Sequence, residues 1–405
     1  MTTSPGWPVS LVIRDVRLVD GVADEPRDAV DVLVAGDRIH AVETHDAARP
    51  MPPDVRIVDG AGATLLPGLI DCHAHYTIDA TVPDGFETFR HDPETTIVLR
   101  SAGMARRAIE AGVTTARSAG SPRNLDVVLR DAIERGDVPG PRLLAAGPAL
   151  TITGGHGWLF GREADGEAEF VRAVRANVRD GADVIKVVSS EAAMLTTAVA
   201  GVEEMTQGEI EAVVREAERL RRRVLSHAQG SESVIRSARA GVASVEHAFL
   251  ADDAALEVLA ASGAFLVPTL VVTDVWHHLP DLSPAARLRQ DVIEGHHRRS
   301  AEAAIALGIR TATGTDCGVR GVMPDMVARE VRLLNEHGRG VMDAIRSATA
   351  WAAELLGLDA EIGTVEVGKR ADLLLVEGDP LADLRRLERV RAVVKAGDVV
   401  HAVAA

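Results

Sequence analysis

Residues 71–77 read DCHAHYT and follow directly on the apolar run 65–70, LLPGLI. In an extended strand, residues i and i+2 point to the same side. His73 and His75 therefore face one way together, an arrangement suited to holding a divalent metal ion. Alone, the pair is weak evidence, because structural histidines are common. Four further groups strengthen it: Lys186 in ADVIKVVSS (182–190), His227 in RRVLSHAQG (222–230), His247 in ASVEHAFL (243–250) and Asp316 in IRTATGTDCG (309–318). Each lies near the C-terminal end of a short β-branched run. Imidazole nitrogens and carboxylate oxygens are donors for zinc or a similar divalent ion.

Lys186 needs its own account. A buried lysine is an energetic liability unless it is paired or neutralised. Of 44 basic residues only Lys186, Lys369 and Lys395 are lysines, so an amine at this position points to amine chemistry. A neutral amine adds carbon dioxide to become a carbamate that bridges two metal ions, which arginine does not do. The other reading is an ammonium paired with Asp316 or with a substrate carboxylate. Position alone leaves both open.

These groups need a scaffold that brings strand ends together. Between residues 65 and 362, short β-branched runs alternate with Ala-, Arg- and Glu-rich helical stretches. The strand candidates are 64–75, 112–120, 141–151, 182–190, 222–230, 243–250, 264–272 and 309–318. In the stretch 206–223, Ile210, Val213, Val214 and Ala217 share one helical face. Eight βα units predict a parallel (β/α)8 barrel, whose active site lies at the C-terminal ends of its strands. The competing doubly wound sheet would show a glycine-rich phosphate turn after its first strand, and none is present. Segments 11–21, 31–43 and 54–68 alternate like β-hairpins, and 363–380 and 390–402 return to that style. Neither tail has enough strands for a stable sheet alone. Residues 1–64 and 363–405 are therefore expected to form one small composite β-sandwich beside a barrel at 65–362.

Composition narrows the partners. The 405-residue chain is 46% hydrophobic and 26% charged, with a formal net charge of −16. That is a soluble globular balance, and its sign argues against nucleic acid or an anionic membrane surface. No apolar run nears the roughly 18 residues of a membrane span, and no leader with a basic n-region is visible. Two cysteines, Cys72 and Cys317, make no disulfide framework, so a reducing cytoplasm is the expected setting.

Pro67-Gly68-Leu69-Ile70-Asp71 before His73-Ala74-His75, followed by Lys186, His227, His247 and Asp316, resembles the metal-dependent amidohydrolase superfamily. The closing stretch GTVEVGKRADLLLVEGDP (363–380) resembles that family's C-terminal β-segment. TGGHGW (153–158) and SHAQG (226–230) look most like the branch of imidazolonepropionase-like proteins and Xaa-Pro dipeptidase-like peptidases. The resemblance implies His73, His75 and Asp316 on one divalent ion, zinc by expectation, and His227 and His247 on a second, bridged by carbamylated Lys186 and a hydroxide. It implies hydroxide attack on an amide carbonyl, with Asp316 passing the proton to the leaving amine. A single-metal deaminase would not need Lys186.

The candidates for substrate contact are His156, Gln229, Tyr76, Trp158 and Arg117. The eleven aromatic residues are scarce, yet several fall near segments after strands 1, 3, 6 and 7, so an apolar or aromatic pocket is one reading and loop packing the other. Relatives of the dipeptidase type carry tyrosine where Gln229 stands, and an acidic residue where Ser118 follows Arg117. KVVSSEAAM (186–194) also departs from the usual glycine-rich continuation. The expected function is hydrolysis of a C–N bond in an N-acyl amino acid, dipeptide-like or aryl amide. A cyclic amidohydrolase or deaminase is the alternative, and a non-catalytic scaffold relative would have lost metal donors that this chain retains. A homo-oligomer is also expected, as is common among such relatives.

Overall fold

In the computed structural model, which describes residues 9–51, 54–192, 201–280 and 282–403, the two alternating tails meet in one sheet. Its N-terminal strands are β1 (Leu11–Leu18), β2 (Arg27–Ala35), β3 (Arg38–Thr44), β4 (Arg56–Asp59) and β5 (Ala63–Pro67). The middle of the chain supplies β6 (Leu69–Ala74), β7 (Val113–Ser118), β8 (Arg142–Leu144), β9 (Leu150–Thr151) and β10 (Arg162–Glu163). It continues with β11 (Ile185–Val188), β12 (Val224–Gly230), β13 (Ser244–Leu250) and β14 (Phe265–Val267). The C-terminal segment adds β15 (Leu373–Glu377), β16 (Val390–Lys395) and β17 (Asp398–Ala402).

The tail sheet runs β17-β16-β15-β5-β1-β2-β3, with β4 also paired to β1. β15 lies antiparallel to β5, placing Leu375 opposite Leu65. Alternate residues such as Ile13, Val32, Val34, Leu65, Leu373 and Val394 fill its apolar interior, as a period-2 pattern requires. Only Gly68 separates β5 from β6. A Cβ at Gly68 would meet the Thr114 side chain, so glycine lets the chain pass from one sheet into the next.

The remaining strands are parallel, in the orders β6-β7-β8 and β10-β9-β11-β12-β13-β14. β6, β7 and β12 are buried on both faces, and helices fill most of the crossovers between paired strands. The helix Gln207–Arg219 shows why: Thr206 and Glu209 form a capping box at its start, and Ile210, Val213, Val214 and Ala217 are buried. Ala145 O accepts the N–H groups of Asp183 (2.7 Å) and Val184 (3.2 Å), linking the ends of β8 and β11.

Four expected strands differ in detail. The run 64–75 divides at Gly68 into β5, which joins the tail sheet, and β6. The run 141–151 splits into β8 and β9. The run 264–272 ends at Val267, because Pro268 has no N–H and Thr269 takes a left-handed φ of 56°. The helix Leu270–His277 starts there, and the buried Glu330 carboxylate accepts the N–H groups of Leu270 (3.0 Å) and Val271 (2.8 Å). The run 309–318 holds only isolated parallel bridges, Thr311 to Leu266 and Cys317 to Ala74 and to Val319. Its ladder breaks at Asp316, which has a φ of 56°. Even so, it stays tied to β6: Cys72 N–H donates to Thr313 O (2.8 Å) and Asp316 N–H to His73 O (2.7 Å). No helix among the described residues is long and apolar enough to cross a membrane.

Candidate active site

The C-terminal ends of β6, β11, β12 and β13, together with the segment 310–317, surround a cavity of about 130 Å³. His73, His75, Lys186, His227, His247 and Asp316 all line it. Among the described residues, His73, His75 and Asp316 bring one donor atom each within 4.8 Å of one another. The Nε2 atoms of His73 and His75 both lie 3.4 Å from Asp316 Oδ1. The His73 and His247 rings are 4.9 Å apart, and those of His227 and His247 4.6 Å.

The histidines are oriented from behind. His73 Nδ1–H donates to Glu246 Oε2 (2.6 Å), and His75 Nδ1–H to Gly120 O (3.0 Å). Thr269 Oγ1 gives its own hydrogen to Pro268 O, so it accepts from His247 Nδ1–H (2.8 Å). A neutral imidazole has one N–H. In all three rings, then, the Nε2 lone pair is left toward the cavity. His227 Nε2 is likewise buried and has no hydrogen-bond partner among the described residues. Burial, reinforced by neighbouring positive groups such as Lys186, keeps His73, His227 and His247 well below the ordinary imidazole range, with His75 pushed down to about 3. Neutral rings with outward lone pairs beside a carboxylate are the donor set a divalent cation needs. The residues fit the group.

Lys186 and Asp316 are both buried in the cavity lining. Burial pushes the Lys186 ammonium down, against the pull of Glu246 and Asp316, and pushes the Asp316 carboxyl up, against the pull of Lys186. The shift on Lys186 keeps its amine form accessible.

Close packing sets the first histidine. A Cβ on Gly314 would sit 2.7 Å from His73 Cβ and against the Val267 side chain. Left-handed backbone recurs at the strand ends: His247 (φ 74°), Ala248 (52°), Thr269 (56°) and Asp316 (56°). Such conformations cost about 1–3 kcal/mol each and collect at functional sites.

Of the residues expected to touch substrate, His156 and Gln229 line the cavity. Trp158 lies instead in an adjoining depression of about 280 Å³ that shares Asp84, Phe86 and His156 with it, and Arg90 stacks 5.1 Å from its ring centroid. Tyr76 and Arg117 do not reach the cavity. Tyr76 lies in the turn that follows β6 and packs in the apolar core at 4% exposure. Arg117 is 1% exposed and is spent inside the molecule on Cys72 O, Ser244 and Glu246. It is not part of the cavity lining. Phe86, Phe160, Phe249 and Trp276 form apolar walls, which supports the aromatic-pocket reading for these four. Cys72 and Cys317 are buried in packing positions.

Glu246 was not among the sequence candidates. Alternation places it on the face opposite His247, but the left-handed backbone at residues 247 and 248 brings both side chains inward. The visible signal was a carboxylate in an otherwise apolar strand, SVEHAFL. The last two residues of KVVSSEAAM lie outside the described residues.

Comparison with known proteins agrees with this geometry. Residues 64–400 match the amidohydrolase family. The chain is 28% identical over 361 residues to ochratoxinase from Aspergillus niger, covering 81% of this chain and 73% of that protein. It is 29% identical over 419 residues to imidazolonepropionase from Aromatoleum aromaticum, covering 92% of each. The crystal structure of a Xaa-Pro dipeptidase with methionine in its active site superposes with a TM-score of 0.87 at 28% identity, covering 96% of this chain and 99% of that one.

Proposed function

This chain belongs to the amidohydrolase family, and we propose that it uses two divalent metal ions, zinc by donor chemistry, to hydrolyse an N-acyl amino acid, a dipeptide-like amide or an aryl amide. The observation that carries this reading is the set of imidazole lone pairs turned toward Asp316 and Lys186 in one cavity. We read the two parallel sheets and segment 310–317 as one (β/α)8 barrel at 65–362. Residues 1–64 and 363–405 then form its β-sandwich companion, less residues 1–8, 52–53, 404 and 405, which lie outside the described residues. The free, buried cysteines suit a cytoplasmic setting.

In this reading His73, His75 and Asp316 would hold one ion and His227 and His247 the other, and Lys186, carboxylated on Nζ, would supply a further oxygen donor. When bound, such ions polarise a carbonyl and acidify water near neutral pH. Asp316 accepts a proton from the water that adds to the carbonyl carbon and returns it to the leaving nitrogen. One water is consumed, the C–N bond breaks, and a carboxylic acid and an amine leave. His156 and Gln229 orient the substrate, while the walls of Phe86, Phe160, Phe249 and Trp276 favour an apolar or aryl group beside the scissile bond.

The likeness to a Xaa-Pro dipeptidase supports a dipeptide-like substrate, whereas Gln229 and Ser118 depart from that pattern. The likeness to imidazolonepropionase keeps a cyclic amide or deaminase substrate as the second reading. Protein prepared with zinc and bicarbonate is expected to hold close to two metal ions per chain, measured by elemental analysis. It should turn over linear amides in preference to lactams and aminated heterocycles. A stoichiometry of one at full activity would revive the single-metal alternative.

Recognition is separable from chemistry. His156→Ala and Gln229→Ala should act mainly on KM or on the ranking of substrates, since neither supplies a donor or a proton in the reaction. Unchanged kinetics on every substrate would remove the loop after β9 and the end of β12 from the specificity pocket.

A further inference from the structure

We propose that Arg117 and Glu246 are positioning residues for His73: this buried ion pair, tied across the molecule, fixes which nitrogen of that ring faces the cavity and in what direction. The inference rests on the reading of His73 as a metal ligand.

Arg117, Glu246 and His73 are at most 1% exposed. Arg117 Nε donates to Cys72 O (2.6 Å), Nη1 to Ser244 Oγ (3.1 Å) and Nη2 to Glu246 Oε1 (3.0 Å). Ser244 Oγ donates to the same Oε1. The second carboxylate oxygen, Oε2, is left for His73 Nδ1–H. One guanidinium thus joins β6, through the carbonyl just before His73, to β13, which belongs to the other parallel sheet. Lysine would not replace it, because a single ammonium lacks the planar fork that reaches all three acceptors at once.

A buried ion pair is weak evidence for stability, since packed apolar residues of similar volume serve as well. What apolar residues do not supply is orientation. An ionised carboxylate only accepts hydrogen bonds, so it holds the His73 proton on Nδ1. The corresponding partners of His75 and His247 are an uncharged carbonyl and an uncharged hydroxyl. Among these three rings, only His73 leans on a charge, and a charged partner also raises the basicity of the ring's other nitrogen.

The test is zinc affinity, which needs no substrate. Full-length protein is stripped of metal and titrated with zinc against a chromophoric chelator, and the melting temperature of the stripped chain is recorded. The double variant Arg117→Met, Glu246→Leu removes both charges and the acceptor while keeping an apolar fill. It is expected to lose about 10–100-fold in affinity at one zinc equivalent, with the other equivalent and the stripped melting temperature near wild type. A purely structural role would shift the melting temperature and both equivalents alike, and would overturn the proposal. So would wild-type affinity at both equivalents. If the double variant does not fold, Glu246→Gln decides, since its amide oxygen still accepts Nδ1–H but carries no charge. A loss of about 10-fold at the same equivalent supports the proposal, and none overturns it. Wild-type protein that takes up no zinc at all would instead overturn the metal reading, and this inference with it.

Discussion

Asp316→Asn is expected to cut turnover by about 10²–10⁴-fold, the usual contribution of a positioned acid–base group. The amide nearly preserves volume, so the packing of segment 310–317 against β6 should survive. What it loses is the ability to take a proton and return it. Asp316 is placed for that transfer: its Oδ1 is 3.4 Å from the Nε2 atoms of both His73 and His75, at the floor of the cavity. Any weakening of metal binding would add to the loss, so metal content must be measured in the same preparation. Turnover near wild type in metal-replete Asp316→Asn would end the proton-shuttle assignment.

Lys186→Arg is expected to lose both metal and activity although it conserves charge. A neutral amine and carbon dioxide give a carbamate and a proton, and burial already biases Lys186 toward the amine. A guanidinium stays protonated in proteins and offers no such ligand. Lys186→Ala should regain part of its activity when a short carboxylic acid is supplied in solution. Wild-type turnover by the arginine variant, with bound metal unchanged, would show that the lysine acts only as a cation.

The six cavity residues proposed as metal donors were legible because they sit at the ends of short β-branched runs, where a parallel α/β topology gathers side chains at one edge. His73 and His75 follow from strand alternation alone. Depth was not legible. Arg117 ends its strand like the others, yet its long side chain turns into the interior, and nothing in GVTTARSAG distinguishes floor from mouth. Glu246 was hidden because alternation fails where φ turns positive, as it does at His247 and Ala248. The ends of the strands were misjudged where local chemistry stops a ladder, as Pro268 does after β14.

The tail sheet has a consequence for the order in which the protein is made. β5 runs into β6 through Gly68 alone, and its outer edge is covered by β15, about 300 residues downstream. At synthesis rates of about 5–20 residues per second, that edge waits roughly 15–60 s for its partner. Throughout that interval the chain carries an apolar strand, Ala63–Pro67, with unpaired backbone groups, which is a template for pairing with another nascent chain. A ribosome that stops after residue 362 would release every one of the six cavity donors, but with the segment leading into His73 still lacking the strand that covers its edge.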